Sequence, residues 1–218
     1  MLQPPVSYIV SGQQFWLSAG RCLFWEEQRA LILSDLHFGK TGHFRKEGIA
    51  VPAEIYQEDL MRLWEQIQYF KPDKIIFVGD LFHSWHNLEI EWFSKWRKDL
   101  PHLEMHLVLG NHDVLPRSVY ADLGIILHSE SLTIGDFCFV HDHPGKYAHF
   151  KLVISGHVHP GIRLYSKGKQ SLKFPCFYFF DQFVLLPAFS RFTGLTIIEP
   201  NQNVCVFAIV ENQVILVS

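Results

Sequence analysis

The amino-acid sequence predicts an α/β fold (α+β in some classification schemes) in which two mixed β-sheets pack face to face with helices outside. In the first half, short apolar runs alternate with amphipathic helical patterns, which is typical of βαβ units with parallel strands. In the second half, apolar runs follow one another through short polar connections, as in antiparallel hairpins. Several of the runs also end in Asp, Asn or His, which indicates chemistry at the strand ends.

Length and composition indicate a single globular domain spanning residues 1–218. The chain has 218 residues, of which 48% are hydrophobic and 19% charged, so it can bury a sizeable core. No apolar run approaches the roughly 20 residues of a membrane span. The segment Met1–Pro5 lacks the basic start and apolar core of a signal peptide. We therefore expect a cytoplasmic protein that does not associate with membranes.

Cysteine usage and net charge exclude two classes of protein. The four cysteines are scattered without paired spacing, so a thiolate zinc site is not expected, and buried reduced thiols are the simplest interpretation. The net charge of −3 gives no overall basic surface that would require nucleic acid. Histidine, with 13 copies, is the conspicuous residue type.

The first half is predicted to contain two helices between its strands. Pro52 opens a pattern in which Leu60, Leu63, Trp64 and Ile67 share one helix face, and Lys71-Pro72 ends it. A second helix is expected over Leu88–Asp99. The predicted strands of this half cover residues 15–17, 22–25, 30–34, 74–78 and 104–109.

The second half is predicted to consist of strands. Their connections hold residues such as Gly135, Asp181-Gln182 and Glu211-Asn212-Gln213, which favour hairpins in an antiparallel region. The predicted strands cover residues 125–127, 132–134, 137–140, 152–154, 177–180, 183–186, 195–198, 204–210 and 214–217.

Five polar clusters follow five of these strands. In chain order they are Asp35-Leu-His37, Gly79-Asp80, Gly110-Asn-His-Asp113, His141 and Gly156-His-Val-His159. Each cluster alone is a common cap or turn, but their recurrence behind successive strands is not explained by turns. Parallel or mixed strands of one sheet would bring these ends together along a single edge.

The residue types in these clusters suit a pair of divalent metals. Carboxylates, imidazoles and one amide oxygen are ligands for manganese, iron or zinc. The candidate ligands are too numerous for one tetrahedral zinc, whereas two metals about 3.5–4 Å apart can clamp both oxygens of an in-line phosphoryl displacement. The glycines at 79, 110 and 156 are expected to let the backbone turn sharply, so that the next side chain points at the metals.

The order and spacing of the clusters from Asp35 to His159 resemble the calcineurin-like metallophosphoesterases. This resemblance implies a four-layer αββα sandwich with a dinuclear site. One metal would be bound by Asp35, His37, Asp80 and His159, and the other by Asp80, Asn111, His141 and His157. Asp80 would then bridge the two metals. His112, oriented by Asp113, would act as general acid or stabilise the transition state.

A narrower resemblance covers nearly the whole chain. Asp35-Leu-His-Phe-Gly-Lys40, Gly156-His-Val-His-Pro160 and Leu186-Pro-Ala-Phe189 are similar to the bacterial DNA ligase-associated metallophosphoesterases. The small residue usual before Phe192 is replaced here by Ser190-Arg191. The resemblance implies a phosphodiesterase or endonuclease that acts in DNA repair with a DNA ligase and a helicase. It also implies two divalent ions, with manganese favoured over iron, zinc or magnesium.

Three further residues are candidates for substrate binding. Lys40 and Arg45 follow the first cluster and would suit a phosphate clamp, although a solvated basic loop is the alternative. His83 lies three positions after Asp80 and is either a substrate contact or an exposed loop residue. The remaining histidines are expected to be ordinary: His43, His86, His102, His106, His128, His143 and His149.

One charge asymmetry follows the last cluster. No Asp or Glu occurs from Pro144 to Phe180, whereas basic residues occur at Lys146, Lys151, Arg163, Lys167, Lys169 and Lys173. This stretch would present a positive lip to a polyanion, or it would merely balance the acidic helices.

The leading hypothesis is therefore metal-dependent hydrolysis of a phosphodiester, with nucleic acid as the expected substrate. The alternatives are a small-molecule nucleotide or pyrophosphate hydrolase and a non-catalytic scaffold subunit of a repair complex. A protein Ser/Thr phosphatase is disfavoured because Leu81-Phe-His83 stands where those enzymes carry an Asp-Arg-Gly extension.

Overall fold

A sheet of seven strands forms one half of the structure. The computed structural model describes residues 3–39, 54–83, 88–165, 171–200 and 202–217. The strands lie in chain order across this first sheet: β1 (Val6–Val10), β2 (Gln13–Ser18), β3 (Cys22–Trp25), β4 (Ala30–Leu33), β5 (Lys74–Val78), β6 (Glu104–Val108) and β7 (Ile125–His128). Strands β1 to β4 pair antiparallel, and β4 to β7 pair parallel, as the strand–helix alternation predicts.

Among the described residues, three helices cover the outer face of this sheet: α1 (Glu54–Phe70), α2 (Leu88–Lys98) and α3 (Arg117–Asp122). Leu63 and Ile67 of α1, Phe93 of α2 and Tyr120 of α3 pack against the buried side chains of β4 to β6. Trp64 is not part of this core, contrary to the prediction, because it lies beside the buried face of α1 and is 39% exposed. Among the described residues, no helix has the length and apolar character that crossing a membrane requires.

The second sheet is mixed. Its strands are β8 (Ser131–Ile134), β9 (Phe137–Val140), β10 (Leu152–Ser155), β11 (Pro160–Tyr165), β12 (Ser171–Phe180), β13 (Phe183–Leu185), β14 (Thr196–Ile197), β15 (Val204–Val210) and β16 (Gln213–Leu216). They are arranged as β14-β11-β12-β13-β10-β9-β8, with β15 paired to β12 and β16 paired to β15. Strand β10 is parallel to both of its neighbours, so the antiparallel hairpins expected from the short connections form only part of this sheet.

The two sheets pack face to face through a shared apolar core. Trp25, Ile32 and Ile76 of the first sheet meet Phe139 and Phe177 of the second. The predicted architecture of two mixed sheets flanked by helices is confirmed. On the outer face of the second sheet, the described residues contain one 3-10 helix, Pro144–Tyr147, whose Tyr147 packs near Val153.

Sequence reasoning missed some elements and shortened another. Strand β1 and helix α3 were not predicted, and neither was β11, where Gly161 and Arg163 interrupt the apolar pattern. Strand β12 begins at Ser171 rather than at 177, since its polar first residues still pair in full with β11. Lys40 and Arg45 lie outside the described residues.

Candidate metal centre

The five polar clusters meet at one end of the sandwich, between the two sheets. Clusters after β4, β5 and β6 belong to the first sheet, and those after β9 and β10 belong to the second. The expectation that a single sheet edge gathers them is therefore wrong. The strands that precede the clusters have their carboxyl ends at the same end of the sandwich. Across the gap between the sheets, the His157 backbone N–H donates to the Asp35 carboxylate, at 3.1 Å from Oδ2.

A first group consists of Asp35, His37 and His159. Their ligand atoms all lie within 4.8 Å of one another. Asp35 Oδ1 is 3.2 Å from His159 Nε2 and 3.9 Å from His37 Nε2. Asp35 and His37 are buried, with 0% and 5% of their surface exposed. A buried carboxylate surrounded by imidazole nitrogens is suited to a divalent cation.

A second group consists of Asp80, His141 and His157, whose ligand atoms likewise lie within 4.8 Å of one another. His141 Nε2 is 3.4 Å from Asp80 Oδ2, and 3.2 Å from His157 Nδ1. Asn111 joins this group, since its Oδ1 lies 3.1 Å from the same His141 nitrogen. The group therefore has the carboxylate, imidazole and amide donors that the sequence indicated.

Asp80 lies between the two groups. Its Oδ2 is 3.8 Å from His37 Nε2 in the first group and 3.4 Å from His141 Nε2 in the second. One carboxylate oxygen thus faces nitrogen donors on both sides. This position fits a ligand shared by two cations, and the complete donor set fits two divalent ions.

The backbone at several candidate ligands adopts an unusual, left-handed conformation. Five candidate ligands have positive φ, between 50° and 66°: Asp35, His37, Asp80, His157 and His159. This conformation is rare for residues with a Cβ and strains the backbone, and such strain is concentrated at functional sites. This left-handed geometry occurs just beyond the ends of several strands, where the side chains of the two groups come together.

The cluster glycines provide space as well as conformational freedom. Gly79 has φ +82°, and a Cβ there would collide with the His141 ring. Gly156 does not need positive φ, but a Cβ there would lie 2.7 Å from Asp35 Oδ2. At Gly156, close approach of a candidate ligand, rather than the sharp turn that we expected, requires the glycine.

A family comparison identifies this arrangement. The family model for the calcineurin-like phosphoesterases matches residues 28–145, which is more than half of the chain. The chain belongs to the calcineurin-like phosphoesterase family. It is accordingly a metallophosphoesterase, and members of this family use a dinuclear divalent metal site.

Solved structures extend the comparison over the whole chain. The structure resembles the Pseudomonas putida nuclease MPE with a TM-score of 0.82 and 28% identity, covering 98% of this chain and 100% of that one. More distant structures include the phosphoesterase Yfce from E. coli, with a TM-score of 0.45, 12% identity and coverage of 85% and 96%. Another is zinc-bound Vps29 from Entamoeba histolytica, with a TM-score of 0.40, 12% identity and coverage of 86% and 96%. No curated protein sequence gives a significant match.

In this phosphoesterase, Asp113 supports the turn that carries Asp80. Its carboxylate accepts hydrogen bonds from the backbone N–H groups of Gly110, Asp80, Leu81 and Phe82, at 2.8–3.1 Å. Burial is the main influence on this carboxyl and raises its pKa to about 6, against the opposing effect of those amides. The contacts of Asp113 are therefore with the backbone behind Asp80, whereas orientation of the His112 ring was the predicted role.

His112 and His83 lie on the side of the first group. The two rings are 4.4 Å apart between centroids, and the His112 ring is 5.4 Å from that of His37. The backbone N–H of His112 donates to Asp80 Oδ1 at 2.9 Å. This bond fixes the position of His112 relative to the shared carboxylate.

Charges within the second group are strongly coupled. Burial opposes ionisation of Asp80, but the hydrogen bond and charge of His141 outweigh it and hold the Asp80 pKa well below its usual range. Burial likewise lowers the pKa of His141, yet the bond to Asp80 prevails and raises it to about 9. A proton on His141 therefore occupies the position where a metal would bind, so the two compete.

A cavity of about 370 Å³ adjoins the second group. Its lining includes Asn111, His141 and His157 from the site, together with Asp142, Lys146 and Tyr147. The volume lies near the lower end of the range for small-molecule sites. It gives the second group an open side.

A buried ion pair that sequence reasoning missed supports the loop beside β4. Arg62 and Asp59 of α1 pair at 2.7 Å although both are buried. The Arg62 guanidinium donates to the Phe189 carbonyl and lies 4.4 Å from the Phe189 ring centroid. Charged residues on a helix are normally solvated, so no local sequence pattern indicated this contact.

Proposed function

We propose that this phosphoesterase hydrolyses phosphodiester bonds in DNA. The observation that carries the proposal is the similarity over nearly the whole of both chains to a nuclease, combined with two groups of candidate ligands that share Asp80. When bound, two divalent cations would supply Lewis-acid activation of water and of the phosphoryl oxygens. Asp35, His37, Asp80 and His159 would hold one cation, and Asp80, Asn111, His141 and His157 the other.

His112 is the proposed general acid. Its ring lies beside the first group, where it can donate a proton from an imidazole nitrogen to the leaving oxygen of the diester. The hydrogen bond from its backbone N–H to Asp80 Oδ1 holds the His112 backbone beside the carboxylate that would be shared by the two cations. Protonation at this point would let an alkoxide leave as the neutral alcohol.

Asp113 and His83 have supporting parts in the proposal. Asp113 holds three consecutive amides, at positions 80–82, so it fixes the angle at which the Asp80 carboxylate faces both groups. His83, beside the His112 ring, would contact the leaving group or a flanking phosphate. Lys40 and Arg45 are retained as proposed phosphate contacts on the basis of the sequence alone.

A second candidate function is hydrolysis of a small nucleotide or pyrophosphate. The cavity of about 370 Å³ beside His141 and His157 favours it, since a nucleotide-sized ligand would fit there. A non-catalytic scaffold is the third candidate. Convergence of the whole candidate ligand set in one place argues against the scaffold, because loss of activity would release those residues from constraint.

Three further parts of the proposal rest on resemblance to ligase-associated phosphoesterases. They are manganese as the preferred metal, a DNA ligase and a helicase as partners in DNA repair, and a cytoplasmic location. The donor set suits manganese but also accommodates iron, zinc or magnesium. Co-purification of a tagged protein with ligase and helicase, compared with an unrelated phosphoesterase, would test the partners.

An activity panel tests the function. Purified protein would be loaded with manganese, magnesium, zinc or iron and assayed on bis-p-nitrophenyl phosphate, p-nitrophenyl phosphate, nucleoside triphosphates and single-stranded DNA, with Asp80→Asn as the inactive control. We expect manganese-dependent cleavage of the chromogenic diester and of DNA. Faster turnover of triphosphates than of either diester would favour the second candidate. A metal-loaded protein that cleaves no phosphoester would favour the scaffold.

A further inference from the structure

The hairpin formed by β11 and β12 extends beyond the strand ends that carry the candidate ligands. Tyr178 of β12 pairs with Leu185 of β13, which in turn pairs with Ser155, the last residue of β10. Tyr178 therefore marks the level of the sheet edge. Lys173 lies five residues further along β12, so it stands roughly 16 Å of strand beyond that edge.

Successive side chains of a strand point to opposite faces, and this alternation determines which face of the hairpin is turned toward the site. Phe177 and Phe179 of β12 point into the core between the sheets, so Lys173 lies on the same face. The register pairs Lys173 with Arg163, and Tyr165 follows Arg163 by two residues on that face. The opposite face carries apolar side chains that continue the outer cluster of the second sheet: Ile162, Leu164 and Phe174.

The chemistry of this inward face is cationic and aromatic. Arg163 and Lys173 are both exposed and stand directly opposite each other, an arrangement of like charges that destabilises a strand pair unless an anion is bound. Within the described residues neither cation forms an ion pair, although Arg163 donates to Ser171 Oγ at 3.1 Å. Tyr165 is 76% exposed beside them.

We propose that the inward face of the β11–β12 hairpin binds a single strand of DNA and guides it to the metal centre. Arg163 and Lys173 would contact backbone phosphates, and Tyr165 would stack on an unpaired base. The proposal rests on the proposed function and specifies the form of its substrate. A single strand is favoured over a duplex because paired bases offer no free face to an exposed aromatic ring.

The position of the hairpin gives the bound strand a direction. His159 of the first group is followed at once by Pro160, the first residue of β11. A strand lying along Arg163 and Lys173 therefore reaches the first group, where His112 is placed to meet a leaving oxygen. The cavity beside the second group lies on the other side of Asp80.

Binding measurements test the proposal independently of turnover. Fluorescence anisotropy with a labelled oligothymidylate, in EDTA so that no cleavage occurs, would give Kd over a range of salt concentrations. For Arg163→Gln/Lys173→Gln we expect weaker binding and a slope of log Kd against log salt that falls by about 1.4, the value for two lost contacts to a single strand. Tyr165→Ala should weaken binding about tenfold without changing the slope.

Lys151→Gln is the matched control. Lys151 belongs to the same acid-free stretch and is exposed, but it precedes β10 at the opposite end of the sheet and pairs with Asp136. Its removal should leave the slope unchanged. An equal slope in the wild type and the double variant, or an equal effect of Lys151→Gln, would overturn the proposal. So would duplex DNA that binds as tightly as the oligothymidylate and with the same dependence on Tyr165.

Turnover of a small substrate separates this proposal from the proposed function. Bis-p-nitrophenyl phosphate is too short to reach the hairpin from the metals, so the hairpin variants should hydrolyse it within about twofold of the wild-type rate. A larger loss on this substrate would place these residues in the reaction centre and overturn the hairpin proposal. Failure of the wild type to cleave DNA despite salt-dependent binding would instead overturn the proposed function.

Discussion

The two groups of candidate ligands differ in how far they are closed to solvent. In the first group Asp35 and His37 are buried and His159 has 19% of its side chain exposed. In the second group His157 has 41% of its side chain exposed and borders a cavity. Water can therefore reach the second group more easily. We infer that the first group holds its cation more tightly, while the second exchanges its cation and admits part of the substrate.

The two groups also differ in how many candidate ligands each sheet contributes. The first takes Asp35 and His37 from the first sheet and His159 from the second, whereas the second takes Asp80 from the first sheet and His141 and His157 from the second. Neither sheet alone supplies a complete group. Correct packing of the two sheets is thus a condition for assembling either group.

The largest expected effect comes from Asp80→Asn, which alters both groups at once. Loss of the shared carboxylate charge should lower kcat/KM on bis-p-nitrophenyl phosphate by about 10³-fold or more, since metal charge stabilisation is worth several kcal/mol. The metal content, measured by mass spectrometry after dialysis, should fall below two ions per chain. Retention of wild-type activity would remove Asp80 from its proposed position between the cations.

His112→Gln should have the next largest effect, without disturbing either group. Loss of a general acid is expected to reduce kcat by about 10²–10³-fold on DNA, while the bound metal stays unchanged. The loss should be smaller with a p-nitrophenolate leaving group, which needs little protonation, and this difference is the diagnostic measurement. An equal loss on both substrates would mean that His112 stabilises the phosphoryl charge instead.

The candidate site was easier to predict from sequence than the way in which it is assembled. Asp35 and Asp80 follow neighbouring buried strands, and open α/β sheets place their ligands at such strand ends, so a shared site could be predicted from their positions. Local sequence patterns do not reveal which sheet a strand joins. The parallel pairing of β10 with β9 and β13 depends on long-range contacts that short polar connections concealed.

Polar residues with buried partners were the hardest to predict. The Asp59–Arg62 pair is buried because the Phe189 carbonyl and ring lie above it, and those groups come from a loop more than a hundred residues away. Asp113 similarly accepts hydrogen bonds from amides of another loop, a contact that its position next to His112 did not indicate. Its role in orienting the His112 ring stays a prediction. Strand β12 was shortened because Ser171 and Lys173 interrupt its apolar pattern, although the stretch 163–173 was interpreted as a basic hairpin; the register with β11 extends the strand to Ser171.

Two glycine substitutions should impair the groups separately. In Gly156→Ala the new Cβ would press on Asp35 Oδ2, and in Gly79→Ala it would press on the His141 ring. Each change should reduce activity by about 10–100-fold, the range seen when support of a metal ligand is lost. Metal titration should show weakened binding at one site while the other keeps its wild-type affinity.

Gly135→Ala is the control for Gly79→Ala. Like Gly79, Gly135 has positive φ, at +58°, but no atom lies within 4 Å of its added Cβ. It reports the backbone strain alone, so its activity should stay near that of the wild type. Equal weakening of both metal sites by Gly156→Ala and Gly79→Ala would show that the groups behave as one unit.

His157→Asn should have the smallest effect on kcat, and its comparison with His159→Asn distinguishes the two groups most directly. His157 and His159 lie on the same loop, so His157→Asn and His159→Asn apply one change to each group. At the exposed His157 position water can occupy the lost ligand site. The manganese concentration for half-maximal activity should therefore rise about tenfold, while kcat at saturating metal is largely kept. At the less exposed His159, excess manganese should not restore kcat. If both variants are rescued by the same excess of metal, the difference in solvent access does not control cation exchange.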